Sequence, residues 1–323
     1  MGIEIVKIRK YNKDYYKAWD NFVISSNNGT IFHLQKFLNY HPKGRFSWHH
    51  LIFEEKDNII ALLPAQLKGD KLISPAGASF GSFVTQDISY DSIEEIVITF
   101  LKYCRKEGIR EIYLTPPPLV YYKSMTMNID YALLYHGFQY EKHLYSSVVN
   151  LKKIKRLHDF DKRARNAIRK AVKSGVEVII GDDYESFYPI LTENKRKFNL
   201  PPTHTLDELR KIKRLLPDML KLFLAYKDGS LIGGSLIFIC NMKTLLSFYI
   251  ALDYEYQQLR PINKVLYEII QWGYENNYEF FDIGVNQDTA SRNSMDLNKT
   301  LVSFKASMGA RCFFRSTFKA SVH

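Results

Sequence analysis

Two stretches of the chain show the same order of apolar and polar positions. In residues 50–77, apolar runs are broken at Lys56-Asp57-Asn58 and Lys68-Gly69-Asp70. That pattern predicts strand, turn, strand, turn, strand. Residues 220–253 read the same way, with breaks at Lys227-Asp228-Gly229 and Asn241-Met242-Lys243. Setting Lys56-Asp57 on Lys227-Asp228 gives an offset of 171 residues.

Helical spacing follows each stretch. Ile93, Val97, Phe100, Leu101 and Cys104 predict a helix over 91–106, with Asp91 as N-cap and Gly108 as its stop. Val265, Leu266, Ile269, Ile270 and Trp272 predict another over 263–276. A short strand comes next in each case, IREIYLTP and YEFFDIGV, and setting Ile109 on Tyr278 gives an offset of 169. Two offsets so close indicate a repeated unit. It is an antiparallel meander, a helix, and a strand parallel to the one before the helix. The fold class is therefore α/β with mixed sheets, in two tandem domains, 1–150 and 151–323. Pro116-Pro117-Pro118 closes the first repeat.

This order resembles the GNAT acyltransferase fold, and two such units in tandem resemble the Fem-type aminoacyltransferases and related envelope acyltransferases. ISPAGASFGSFV is similar to the family's Gly-rich first-domain stretch. RARNAIRKAVKSGVEV is similar to its basic helix and following strand. The ending FFDIGVNQDTASRNSMDLNKTLVSFKASMGA resembles the family's F-D-x-G, L-N and F-K-x-x-x-G. The chain departs from the GNAT pattern at residues 257–263, QQLRPIN, which contain no glycine. Glycines there let backbone N–H groups approach the coenzyme A pyrophosphate, and Pro261 has no N–H to give. Tight coenzyme A binding is not expected. Fem-type relatives also lack a strict glycine loop, and they use aminoacyl-tRNA.

Charge adds a partner. The formal net charge is +11, and residues 151–175 hold ten basic and two acidic side chains. So concentrated an excess implies an anionic partner. In the predicted helix 159–174, Phe160, Ala164, Ala167, Ile168 and Ala171 share one face, while Arg165, Arg169 and Lys173 stand on the other. That second face is read either as solvated or, with Arg260, as a phosphate-binding surface. The three cysteines, Cys104, Cys240 and Cys312, are too sparse for a disulfide framework, and no metal-ligand spacing occurs. The longest apolar run, 231–240, is too short to span a bilayer. The first sixteen residues have no signal-peptide core, and Val6 stands where a myristoylation signal needs Ser or Thr. A cytoplasmic location is expected.

Candidate chemistry follows from position and from the resemblance. Leu301, Ser303, Lys305 and Ser307 alternate, which reads as one face of a strand with Phe304 on the other. The family resemblance implies that this Phe-Lys pair lines the acyl-transfer site, where a cation would stabilise the developing oxyanion. His204 is a candidate general base, although Thr205 and Glu208 equally make it a helix-entry residue through a capping box. Asp282 is a candidate for orienting an amine. Tyr249, Asn286, Asn298, Ser79 and Gly81 are candidate substrate contacts, and the polar loop 287–297 has the length of a lid. The expected activity is transfer of an acyl or aminoacyl group from acyl-CoA or aminoacyl-tRNA to an amine of a nucleotide- or lipid-linked envelope precursor. No tightly bound cofactor is expected, with acyl-CoA only a co-substrate. The alternative is a non-catalytic module that binds RNA or an anionic glycan.

Overall fold

The computed structural model describes residues 6–154 and 156–322. Gly2, on which the myristoylation reading turns, Lys155 of the basic segment and His323 lie outside the described residues. The chain forms two compact units. The first runs through His143 and takes back the chain from Phe314; the second is Leu144–Phe313.

The first unit contains β1 (Lys7–Lys10), α1 (Tyr16–Ser25), α2 (Gln35–Leu38), β2 (Leu51–Glu55), β3 (Asn58–Leu63), β4 (Gln66–Lys68), β5 (Lys71–Ser74), β6 (Val84–Thr85), α3 (Tyr90–Lys106), β7 (Glu111–Leu114) and α4 (Asn128–Tyr135). β8 (Gln139–Asn150) carries the chain into the second unit. There follow α5 (Lys162–Lys173), β9 (Glu177–Gly181), α6 (Tyr184–Arg196), α7 (Leu206–Leu215), β10 (Leu220–Lys227), β11 (Ser230–Ile239), β12 (Thr244–Leu252), α8 (Pro261–Glu275), β13 (Phe280–Val285) and α9 (Lys299–Ser307). β14 (Arg311–Ser321) leads back to the first unit.

The repeat is visible in both units. β5 and β7 flank α3 and pair in parallel; β12 and β13 flank α8 and do the same. The hairpin turns also match, with positive φ at Lys56 and Asp57 in one and at Asp228 and Gly229 in the other. Such angles set the tight turn between two antiparallel strands. α3 is capped by Ser89, whose side chain accepts from Ser92 N, so the expected cap Asp91 is instead the second residue of the helix, within its first turn. Burial of Ile93, Val97, Phe100, Leu101 and Cys104 follows the predicted stripe.

Two features differ from the sequence reading. The second predicted strand of the first meander splits at Pro64 into β3 and β4. Proline cannot donate to a ladder, so the strand ends there. β3 joins the sheet β1-β2-β3-β6, whereas β4 joins β5 and β7. The second difference is the boundary. The expected cut at 150 assigned the whole tail to the second domain, yet Phe318 to Ser321 of β14 pair antiparallel with Leu114 to Glu111 of β7. Phe318 and Ala320 are thereby buried in the first unit's core.

The second unit's sheet has the order β8-β13-β12-β11-β10-β9. α5 and α8 pack on it over Phe223, Ile237, Leu245 and Phe281. Among the described residues, no helix is long and apolar enough to cross a membrane.

Candidate active site

In the second unit, β12 and β13 pair for only three residues, Thr244↔Phe280 to Leu246↔Asp282. Beyond that point β12 runs on to Leu252 and β13 to Val285 with no further register between them. Two local features accompany this parting. β12 and β11 shift register between Leu236 and Ile237, a bulge that bends and twists the strand. In β13, Gly284 takes φ +82, which only glycine adopts without strain.

Lys305 reaches this stretch of β13. Its Nζ donates to Gly284 O at 2.9 Å and to Val285 O at 3.0 Å. Burial pushes its pKa down to about 8, against an upward pull from Asp282. Asp282 is itself buried and accepts from Ser146 Oγ at 2.6 Å and Gly284 N at 2.7 Å. Two of the three ammonium hydrogens are thus used, which leaves one for a ligand or water. The route by which Lys305 arrives corrects the sequence reading. Residues 299–307 are a helix capped by Asn298, whose side chain accepts from Leu301 N. The apparent period of two was incidental. Leu301, Phe304, Lys305 and Met308 follow the helical period, so Phe304 and Lys305 are neighbours on one side of α9 rather than opposites.

A groove of about 1110 Å³ lies alongside. Lys162, Arg163, Asn166 and Lys170 of α5 form one wall; Asn298, Leu301 and Phe304 form another. Arg260, Pro261 and Ile262, at the start of α8, also line it. The glycine-free loop is less of an obstacle than its sequence implied. Arg260 takes the left-handed conformation, φ 62, that a glycine would otherwise supply. Pro261 falls at the first helical position, where its missing N–H has no intrahelical acceptor to lose. Ile262 N–H remains as an end-of-helix donor. The loop therefore brings one helix end and the Arg260 side chain to the groove that α5 lines with cations.

Other candidates are placed differently. Arg165 donates to the carbonyls of His158 and Phe160, both at 3.1 Å, and helps close the turn before α5. Arg169 and Lys173 do not line the groove. α5 presents residues 162, 166 and 170 to it, one helical turn apart, and 165 and 169 lie to the side. His204 is buried, with its backbone N and ring Nδ1 both within 3.0 Å of Tyr249 Oη. It packs on Phe238 and Phe248, and Thr205 makes the expected capping box with Glu208. These contacts give His204 and Tyr249 a core role, not a substrate-facing one. Asn286 is buried and donates to Tyr145 O and Ser147 Oγ. The loop 287–297 is closed at its base by a Gln287↔Leu297 bridge and tied internally through Asp296.

Ser79 and Gly81 belong to the first unit. Ser79 O accepts from Arg315, and Gly81 exchanges bonds with Thr115 O and His33 Nε2. A Cβ at Gly81 would lie 2.5 Å from Ser74 Oγ and 2.6 Å from Pro75 N. The glycine serves a close backbone approach. Gly81→Ala is expected to cost about 1–3 kcal/mol of stability, read as a lower Tm, and to leave anion binding in the second unit unchanged.

Residues 158–290 match the family model described as an acetyltransferase (GNAT) domain. This segment is similar to a GNAT acetyltransferase domain. The GNAT match takes in α5, the α8 loop and Asp282, and ends before Asn298, Phe304 and Lys305. Across nearly its whole length the chain resembles the crystal structure of FemX, with TM-score 0.72, 14% identity, and 98% of this chain and 97% of that one covered. A tandem GNAT protein from the clavulanic acid biosynthesis pathway gives TM-score 0.58 at 9% identity, covering 98% and 99%. The C-terminal domain of a putative lysylphosphatidylglycerol synthetase from Agrobacterium fabrum gives 0.62 at 13%, covering 96% and 92%. At such identities the likeness shows a shared tandem GNAT fold. No curated relative matches in sequence.

The groove residues Lys162, Arg163 and Lys170 were visible as part of a basic helix, but which turn faced inward was not. Phe198 and Tyr254, which also line the groove, carried no sequence signal beyond being aromatic in polar surroundings. Among the described residues, no group of three or more His, Cys, Asp or Glu is placed to hold a metal.

Proposed function

We propose that the protein transfers an acyl or aminoacyl group from a phosphate-bearing donor to an amine of a cell-envelope precursor, in the cytoplasm. The observation that carries this reading is the groove itself. Four cations, Lys162, Arg163, Lys170 and Arg260, line it together with the first turn of α8 and with Phe304; Lys305, the next residue in the chain, is buried and not among the lining residues. The donor's phosphates lie along α5 and α8. The amine attacks the donor carbonyl, and the remaining Lys305 N–H stabilises the oxyanion of the tetrahedral intermediate. Collapse expels a thiolate from acyl-CoA, with the amine's proton passing to water, or a ribose oxygen from aminoacyl-tRNA, which takes up that proton as a hydroxyl. Transfer is direct, because burial raises the pKa of all three thiols and none is poised as a nucleophile. FemX and the lysylphosphatidylglycerol synthetase domain among the structural neighbours support the envelope direction.

The test offers each donor, labelled in its acyl group, with an amine-bearing peptidoglycan precursor. Transfer is expected, and tight RNA or glycan binding with no transfer from either donor would favour the binding-module alternative. Calorimetry with acetyl-CoA is expected to give a Kd weaker than about 1 μM, or about −8 kcal/mol, because side chains replace the glycine loop. A tighter constant would show that the glycines are dispensable.

A further inference from the structure

We infer that the groove contains an aromatic slot for a nucleobase, with Phe198 and Tyr254 as its stacking surfaces and a purine as its preferred occupant. This rests on the reading of the groove as a phosphate-binding donor site. Phe198 is 57% exposed and Tyr254 38%, and both line the groove whose other walls carry Lys162, Lys170 and Arg260. Large rings left open beside cations suit a flat aromatic group joined to phosphates.

The slot is built rather than incidental. Phe198 follows α6 and Tyr254 follows β12, so they come from separate elements. The Asn194 side chain ties these elements together. Its Nδ2 donates to Leu252 O at 2.7 Å, and its Oδ1 accepts from Leu252 N at 3.0 Å. Both backbone groups of Leu252 are thereby held, two residues before Tyr254. Phe198 N bonds Lys195 O at 3.0 Å, which fixes the turn that carries the ring. The Lys197 ammonium lies 3.0 Å from the centroid of the Tyr254 ring, so it holds that ring from one face. The base stacks on the face Lys197 does not cover. A purine offers more π surface than a pyrimidine and binds better for that reason. Acyl-CoA and the 3′ end of aminoacyl-tRNA both bring an adenosine bearing phosphate, so the slot serves either donor.

The experiment is calorimetry on the full chain with ADP, UDP and inorganic pyrophosphate. ADP is expected to bind about tenfold more tightly than pyrophosphate, with UDP between them. Phe198→Ala with Tyr254→Ala should bring ADP down to the pyrophosphate value and leave pyrophosphate unchanged; Phe198→Tyr with Tyr254→Phe should restore the preference. Both side chains are exposed, so an unchanged Tm is expected for each pair. Equal binding of ADP and pyrophosphate, or an ADP affinity untouched by the double alanine change, would overturn the slot and leave the phosphate groove standing. Absence of binding by all three ligands would overturn both.

Discussion

Lys305→Met is expected to lower turnover by about 10²–10³-fold while the chain still folds. Methionine keeps most of the buried stem and removes the charge. The two bonds from Nζ to Gly284 O and Val285 O are lost with it, so some stability goes too. Arginine should rescue poorly, because a planar fork does not fit a pocket shaped for a compact ammonium. A pH profile separates the two roles. With a pKa lowered to about 8, the ammonium loses its proton just above neutrality, and turnover should fall through that value. Stability should move the other way. The folded pKa lies below the ordinary 10.5, so between about 8 and 10.5 the unfolded chain binds more protons than the folded one. Stability therefore rises with pH across that window and is flat below it. The methionine variant should lose both the activity limb and the stability slope, as read by turnover and by urea unfolding at about pH 7.5 and about pH 10. Asp282→Asn removes the carboxylate that holds the ammonium charged and should move the activity limb lower. If Lys305→Met loses stability but keeps turnover, the lysine only ties down two carbonyls of β13.

Changing Lys162, Arg163 and Lys170 together to glutamine should weaken donor binding by about 10²-fold at low salt and flatten its salt dependence by up to about one logarithmic slope unit per lost phosphate contact. Arg165, Arg169 and Lys173 changed in the same way form the control. They carry the same net charge, so a long-range field effect would weaken binding equally in both triples. A local site would be damaged only by the first. Lys162, Arg163 and Lys170 are exposed side chains on the groove wall, so the first triple should melt near the parent temperature. Arg165 of the control triple does close a backbone turn, and that triple should lose some stability. Filter binding across a salt series checks both. Equal slopes for the two triples would remove the groove as the anion site.

The tandem repeat, the helices read over residues 91–106 and 263–276, and the parallel strands after them were all legible in the sequence, within two residues of the observed bounds. Each is set by local hydrophobic period and turn chemistry, which lie within a few residues of one another. The basic helix and the resemblance to GNAT enzymes were legible for the same reason, being contiguous strings. Lys305 stood out in the sequence, yet its secondary structure was misread there. Leu301 to Ser307 satisfies a period of two as well as the helical one, and only the Asn298 cap and packing of Met308 in the core decide between them. Three further matters were settled by tertiary structure alone. β14 ends in the first unit because its register is chosen by a strand about two hundred residues away, and no local pattern encodes that. Arg163 and Lys170 line the groove while Arg165 does not, because the identity of a helix's inward turn depends on what it packs against. His204 and Tyr249 satisfy one another in the core, and a residue type that suits a catalytic base suits a buried hydrogen bond equally well. Sequence determines which groups are present and how each segment bends; the distances between segments determine which of those groups can act together.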